Sequence, residues 1–187
     1  NPPSCNGIKY IREGRCEQRL SSFQYVMVPI SLPSIAALLK EKGHEVKILD
    51  CTTTDLNTVD LLQAVRTFQP ALIILDVSTP TFKGDSEVAR LIKDSHSSHL
   101  TSIGTHVTAL PEISLLESSL DSVVRGEPEL TSLALADALE CQGDLHQVEG
   151  LSFKNENGVI HNAERPFIEN LNELPFPARD LILNEKY

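Results

Sequence analysis

Five consecutive residues, Gly104-Thr105-His106-Val107-Thr108, put an imidazole between two hydroxyl side chains directly after a glycine. Glycine admits turns and close approaches that a side chain forbids, and the groups beside it both donate and accept hydrogen bonds. Such a string either meets a ligand or ends a strand. Three others share its character: "DCTTTD" at 50–55, "DVSTPTFKGD" at 76–85 and "RGEPE" at 125–129. From these, Ser78, Thr79 and Thr81 are candidate ligand-binding hydroxyls, and equally candidate caps for a following helix. Gly126 suits a turn. Glu127, like Glu129, suits a ligand-facing edge or a helix start, where a carboxylate meets the positive end of the dipole.

Several chemistries lack their residues. The loops are poor in Lys and Arg, and neither G-x-x-x-x-G-K-S/T nor G-x-G-x-x-G occurs, so nothing forms a phosphate cradle of either type. A large ligand bearing amides and hydroxyls fits better than a nucleoside triphosphate. Cys5, Cys16, Cys51 and Cys141 are far apart, without the paired spacing of a zinc site, a redox motif or an iron–sulfur cluster. With 16 Lys and Arg against 26 Asp and Glu, the net charge of -10 disfavours nucleic acid. No apolar run reaches the roughly 20 residues of a membrane helix, and no secretory leader opens the sequence. These features predict a reduced, cytoplasmic protein. The opening "NPPS", without methionine, points to further residues ahead of it.

The elements that must position these loops follow from periodicity. "PSIAALLKEKG" carries an apolar stripe at Ile35, Leu38 and Leu39 and stops at Gly43, which predicts a helix. "HEVKILDC" reads as a strand, and "TVDLLQAVRTFQP" as a helix ended by Pro70. "ALIILDVS" is apolar throughout, as expected of a central parallel strand covered on both faces. Helix and strand then alternate through "DSEVARLIKDS", "LTSIGTHV", "PEISLLESS", "DSVVRGEP" and "ELTSLALADALE". The class is α/β with an open parallel sheet and helices on both faces. After Gly143, "VEGLSFKNENGVIHNA" predicts a small hairpin around Asn157-Gly158, and the stretch with Pro166, Pro175 and Pro177 predicts a linker. In an open parallel sheet ligands bind beyond the carboxyl ends of the strands, and all four polar loops fall there.

"PSIAALLKEKGHEVKILD", "VSTPT", "IGTHVTALPE", "SVVRGEPELT", "VEGLSFKNENGVIHN" and "LPFPARDLI", in that order, resemble the amino-terminal cobalamin-binding domain of cobalamin-dependent radical S-adenosylmethionine enzymes. The subgroup resembled is the anaerobic magnesium-protoporphyrin ester cyclase type. The resemblance implies a Rossmann-like domain over 1–143, a hairpin extension over 144–163, and a linker over 164–187 toward a radical S-adenosylmethionine barrel outside this chain. It implies cobalamin as cofactor, held by Ser78, Thr79, Thr81, Gly104, Thr105, His106, Val107, Thr108, Gly126 and Glu127. A [4Fe-4S] cluster and S-adenosylmethionine belong to the barrel, whose Cys-x-x-x-Cys-x-x-Cys motif these residues lack. The parent enzyme would transfer methyl groups or close a ring oxidatively, and this fragment would not turn over alone. Family members also begin with a strand just ahead of the "NPP" equivalent, which is missing here. The Asp-x-His-x-x-Gly signature that ligates cobalt from below is absent. In "DSHSSH", Asp94 to His99, a His stands where Gly is required. No metal ligand is therefore assigned, and His106 is read as a contact rather than a cobalt ligand. Two other readings stand beside this one: a flavodoxin- or receiver-like signalling module, and a cobalamin-type fold kept as a scaffold without its cofactor.

Overall fold

The computed structural model describes residues 1–3, 10 and 27–187, so Cys5 and Cys16 lie outside the described residues. Helix α1 (Ser31–Glu41) buries Ile35, Leu38 and Leu39, and the chain reverses after it at Gly43, whose φ is +95°. Helix α2 (Cys51–Thr54) is a single turn. Helix α3 (Thr58–Phe68) begins at a capping box: Asn57 accepts from the amides of Val59 and Asp60, and Asp60 accepts from that of Asn57. Then follow β1 (Leu72–Asp76), α4 (Phe82–Ser95), β2 (His99–Ile103), α5 (Thr105–Ala109), α6 (Pro111–Leu116), β3 (Ser122–Val124) and α7 (Pro128–Glu140). The last strands are β4 (Leu151–Asn155) and β5 (Gly158–His161).

The sheet order is β1-β2-β3-β4-β5. β1 to β3 run parallel, and β4 and β5 join antiparallel. On one face Leu75, Leu100 and Val123 pack with Leu61, Val65, Val88, Ile92, Val107 and Leu115 from α3 to α6. On the other, Ile103, Val124, Leu151 and Phe153 pack with Ile35, Leu39 and Leu135 from α1 and α7. The open α/β sheet covered on both faces is as the sequence indicates.

Local differences have physical causes. The expected strand 100–107 ends at Ile103, because Gly104 at φ +114° turns the chain and the next residues coil into α5. The hairpin is not an appendage: β4 pairs with β3, and Leu151 and Phe153 complete a core layer. Its tip is Glu156-Asn157, one residue earlier than expected, since Asn155 pairs with Gly158.

Residues 44–50, expected as a strand, have no ladder partner among the described residues except at one end. There the amino group of Asn1 donates to the Leu49 carbonyl, and the Cys51 amide donates to the Asn1 carbonyl. This is the bond pattern of a parallel pair, with Asn1 opposite Asp50. β1, expected to be central, is an outer strand of the sheet among the described residues, as is β5. Between it and 44–50 lies an apolar slot of about 270 Å³, walled by Ile35 and Leu39 from α1 and by Leu61, Val65 and Phe68 from α3.

The segment expected as a linker packs against the domain. The Ala178 amide donates to the Pro33 carbonyl, Lys40 pairs with Asp180 at 2.7 Å, and Ala178 is buried against Ala36 and Ala37.

Candidate functional site

Parallel register brings the polar loops together. Asp76 lies opposite Ile103 and Ser102 opposite Val123, so the strings at 76–81, 104–108 and 125–127 all leave the same edge of the sheet. Loop 50–55 leaves it beside Asn1. Two contacts tie the loops across this edge. His106 Nδ1 lies 3.2 Å from Thr79 Oγ1, and the Gly126 amide donates to Thr108 Oγ1 at 3.2 Å.

The candidate residues divide into those buried within the fold and those at its surface. Ser78 and Thr81 are buried and bond each other at 2.8 Å, and Thr81 donates to Asp85 Oδ2 at 2.6 Å; together they secure the start of α4. Val107 is fully buried in the core. Gly104 is required by the backbone itself, because a Cβ there would lie 2.3 Å from the Val77 carbonyl oxygen. Thr79, Thr105, Thr108, Gly126 and Glu127 remain exposed along the edge. Glu127 also accepts from the Ile168 amide, which holds the C-terminal segment nearby.

His106 is the unusual member. It is only 7 % exposed, its ring stacks on Phe82 with centroids 4.3 Å apart, and its Nε2 is buried without a hydrogen-bond partner. Burial pushes its pKa below the ordinary imidazole value, against the pull of the Glu117 carboxylate. A neutral ring with one unsatisfied nitrogen is an uncommon arrangement inside a protein and fits a hydrogen bond to a bound molecule. Beside it a cleft of about 1120 Å³ opens between the start of α4 and the end of α6, lined by Thr52, Thr81, Phe82, Asp85, Arg90 and Glu117. That volume suits a large cofactor.

Three buried carboxylates at this edge, Asp50, Asp76 and Asp85, are missing from the sequence-based candidates. A signal for two of them was present: Ile-Leu-Asp recurs at 48–50 and 74–76, each ending an apolar run. Burial opposes ionisation of Asp50, whereas hydrogen bonds from Tyr187, Thr53 and Asn1 favour its charged form. At the opposite edge His44 meets Asp137 at 3.2 Å and joins the turn after α1 to α7, a structural role.

The geometry defines an open α/β domain whose hydroxyl-bearing loops and buried imidazole gather at the carboxyl edge of the sheet, with a large cleft alongside α4 that reaches His106 through Phe82. The family model described as "B12 binding domain" matches residues 19–136, and the chain belongs to that family. An uncharacterized methyltransferase of Pyrococcus horikoshii is 36% identical over 162 residues, covering 85% of this chain and 35% of that protein. The anaerobic magnesium-protoporphyrin IX monomethyl ester cyclase of a Synechocystis species is 29% identical over 148 residues, covering 76% of this chain and 30% of that protein. The chain thus spans about a third of the length of these curated relatives. Among solved structures, the cobalamin-dependent S-adenosylmethionine radical enzyme OxsB, with aqua-cobalamin and S-adenosylmethionine bound, superposes with a TM-score of 0.76 at 24% identity, over 87% of this chain and 23% of that one. The radical S-adenosylmethionine methyltransferase TsrM of Kitasatospora setae, with cobalamin and a [4Fe-4S] cluster bound, superposes with a TM-score of 0.64 at 19% identity, over 79% of this chain and 29% of that one. The findings support the cobalamin reading and not the signalling alternative. No helix among the described residues is long and apolar enough to cross a membrane.

Proposed function

We propose that this chain is the cobalamin-binding domain of a cytoplasmic, cobalamin-dependent radical S-adenosylmethionine enzyme that transfers a methyl group or closes a ring oxidatively. The observation that carries the reading is the gathering of Thr79, Thr105, Thr108 and His106 at the carboxyl edge of the sheet, with Phe82, which stacks on His106, forming part of the wall of a cleft of cofactor size, in a chain of the B12-binding family. Uncharged hydroxyls match the amide-fringed rim of a corrinoid, and Gly126, at positive φ, turns the chain at the same edge. Cobalamin, when bound, supplies the cobalt chemistry that no side chain here offers. The chain's own residues bind and orient: Thr79 fixes the His106 ring through Nδ1, which leaves Nε2 for the ligand. Residues 1–143 form the binding unit, 144–163 extend its sheet, and 164–187 lead toward a barrel carrying the [4Fe-4S] cluster and S-adenosylmethionine. A strand ahead of Asn1 fills the apolar slot. The Asn1 register supports this, since residues before Asn1 would continue opposite 49 back to 44.

The test is an absorption titration of the full natural polypeptide with hydroxocobalamin, repeated for His106→Ala. Saturable binding, weakened about tenfold in the variant by loss of one hydrogen bond to a buried group, supports the reading. Absence of binding leaves the scaffold account.

A further inference from the structure

The segment 174–187 does more than leave the domain. After crossing α1 through the Ala178–Pro33 and Lys40–Asp180 contacts, it returns to the carboxyl edge of the sheet, where the Tyr187 hydroxyl donates to Asp50 Oδ2 at 2.6 Å. The same oxygen accepts from the Thr53 hydroxyl at 2.9 Å, and the Asp50 carbonyl accepts from the Thr54 hydroxyl at 2.6 Å. Asp50 is 7 % exposed, and its Oδ1 is buried without a partner. One carboxylate therefore holds both the strap and the single turn α2, and that turn carries Thr52, a wall residue of the large cleft. A bond from a phenol to a buried carboxylate is of the strong, charge-assisted kind when the carboxylate is ionised, whereas Lys40–Asp180, the strap's salt bridge to α1, is solvent-exposed and contributes little.

We propose that the Tyr187–Asp50 hydrogen bond is a latch that couples ligand in the cleft to the seating of the strap. The proposal rests on the reading of the cleft edge as the corrinoid site. Tyr187 and Asp50 act as positioning residues: they hold loop 50–55 against the cleft and fix where the chain departs toward whatever domain follows. Coupling of this kind is reciprocal. If the latch strengthens ligand binding by some factor, bound ligand must stabilise the latched strap by the same factor.

The experiment measures both sides of that equality in the full natural polypeptide. Hydroxocobalamin affinity is read by absorption titration, and protection of residues 174–187 by hydrogen exchange with and without hydroxocobalamin, for the unaltered protein, Tyr187→Phe, Asp50→Asn and Lys40→Ala. Unaltered protein and Lys40→Ala should bind alike and slow exchange across 174–187 on binding. Tyr187→Phe should bind about fivefold to tenfold more weakly and lose the ligand-induced protection, while Asp50→Asn, which keeps an acceptor oxygen, should lie between. Melting curves confirm that each variant is folded. Binding and protection unchanged in folded Tyr187→Phe would overturn the latch while leaving the corrinoid site intact. Failure of the unaltered protein to bind would overturn the site and the latch together.

Discussion

Gly104 and Gly126 both adopt positive φ, yet their surroundings differ. A methyl group on Gly104 meets the Val77 carbonyl oxygen, whereas one on Gly126 meets nothing within 4 Å. Gly104→Ala should therefore destabilise the domain by about 3 kcal/mol, combining backbone strain with a clash in the core. Gly126→Ala should cost about 1 kcal/mol, and urea unfolding of the two variants measures the difference. Acid should weaken the fold through two histidines. Burial lowers the pKa of His106 and of His99, where the Asp121 charge pulls upward and Lys93 adds to the lowering. The unfolded chain takes up these protons as pH falls through about 6.5, while the folded imidazoles resist to lower pH. The stabilisation is thus complete above that pH and declines below it. Unfolding midpoints at pH 7.5 and 5.5 should diverge less in His99→Gln and His106→Gln than in the unaltered protein. Residue type revealed which loops were polar, but not that Ser78 and Thr81 would spend their hydroxyls on α4 while Thr79 turned its own toward His106. That division depends on the burial of each side chain, and consecutive residues in one loop do not share it.

Most helices were legible because their apolar spacing, caps and breakers agree. Pro70 and Gly43 stop α3 and α1 within a few residues of where they stand. Strands were harder, since a strand is completed by its neighbour. "HEVKILDC" has strand composition, but its ladder needs a partner, and only Asn1 supplies one among the described residues. The unbroken apolar run of β1 is explained by the same slot, whose walls are apolar on both faces of the sheet. A strand seated there must be apolar on both sides as well. Placing a continuous Val- and Ile-rich run immediately ahead of Asn1 should raise the melting temperature by at least about 5 °C, as expected from burying several branched side chains. The same run with alternate residues changed to Lys should not. Equal melting temperatures for the two would show that the slot does not take a strand.

At the scale of the whole molecule, the hairpin that the sequence suggested as an addition closes the sheet. β4 covers the edge of β3 and brings Leu151, fully buried, and Phe153 into the layer formed with α1 and α7. Nothing in "LSFKN" shows which strand it will meet, because pairing over such a distance is decided by the assembled edge. Truncation after Gly143 should remove more than about 4 kcal/mol of apolar burial from these two side chains alone and leave the β4-facing edge of β3 unpaired. We expect that 1–143 fragment to associate or precipitate, as size-exclusion chromatography would show, whereas a 1–163 fragment stays monomeric. The antiparallel turn has another consequence. Because β4 runs against β3, the two-residue tip at Glu156-Asn157 projects from the edge opposite the polar loops, and both of its residues face solvent. An affinity handle or biotinylation site inserted there would fasten the molecule to a sensor chip in one orientation, with the polar loops facing the flowing analyte.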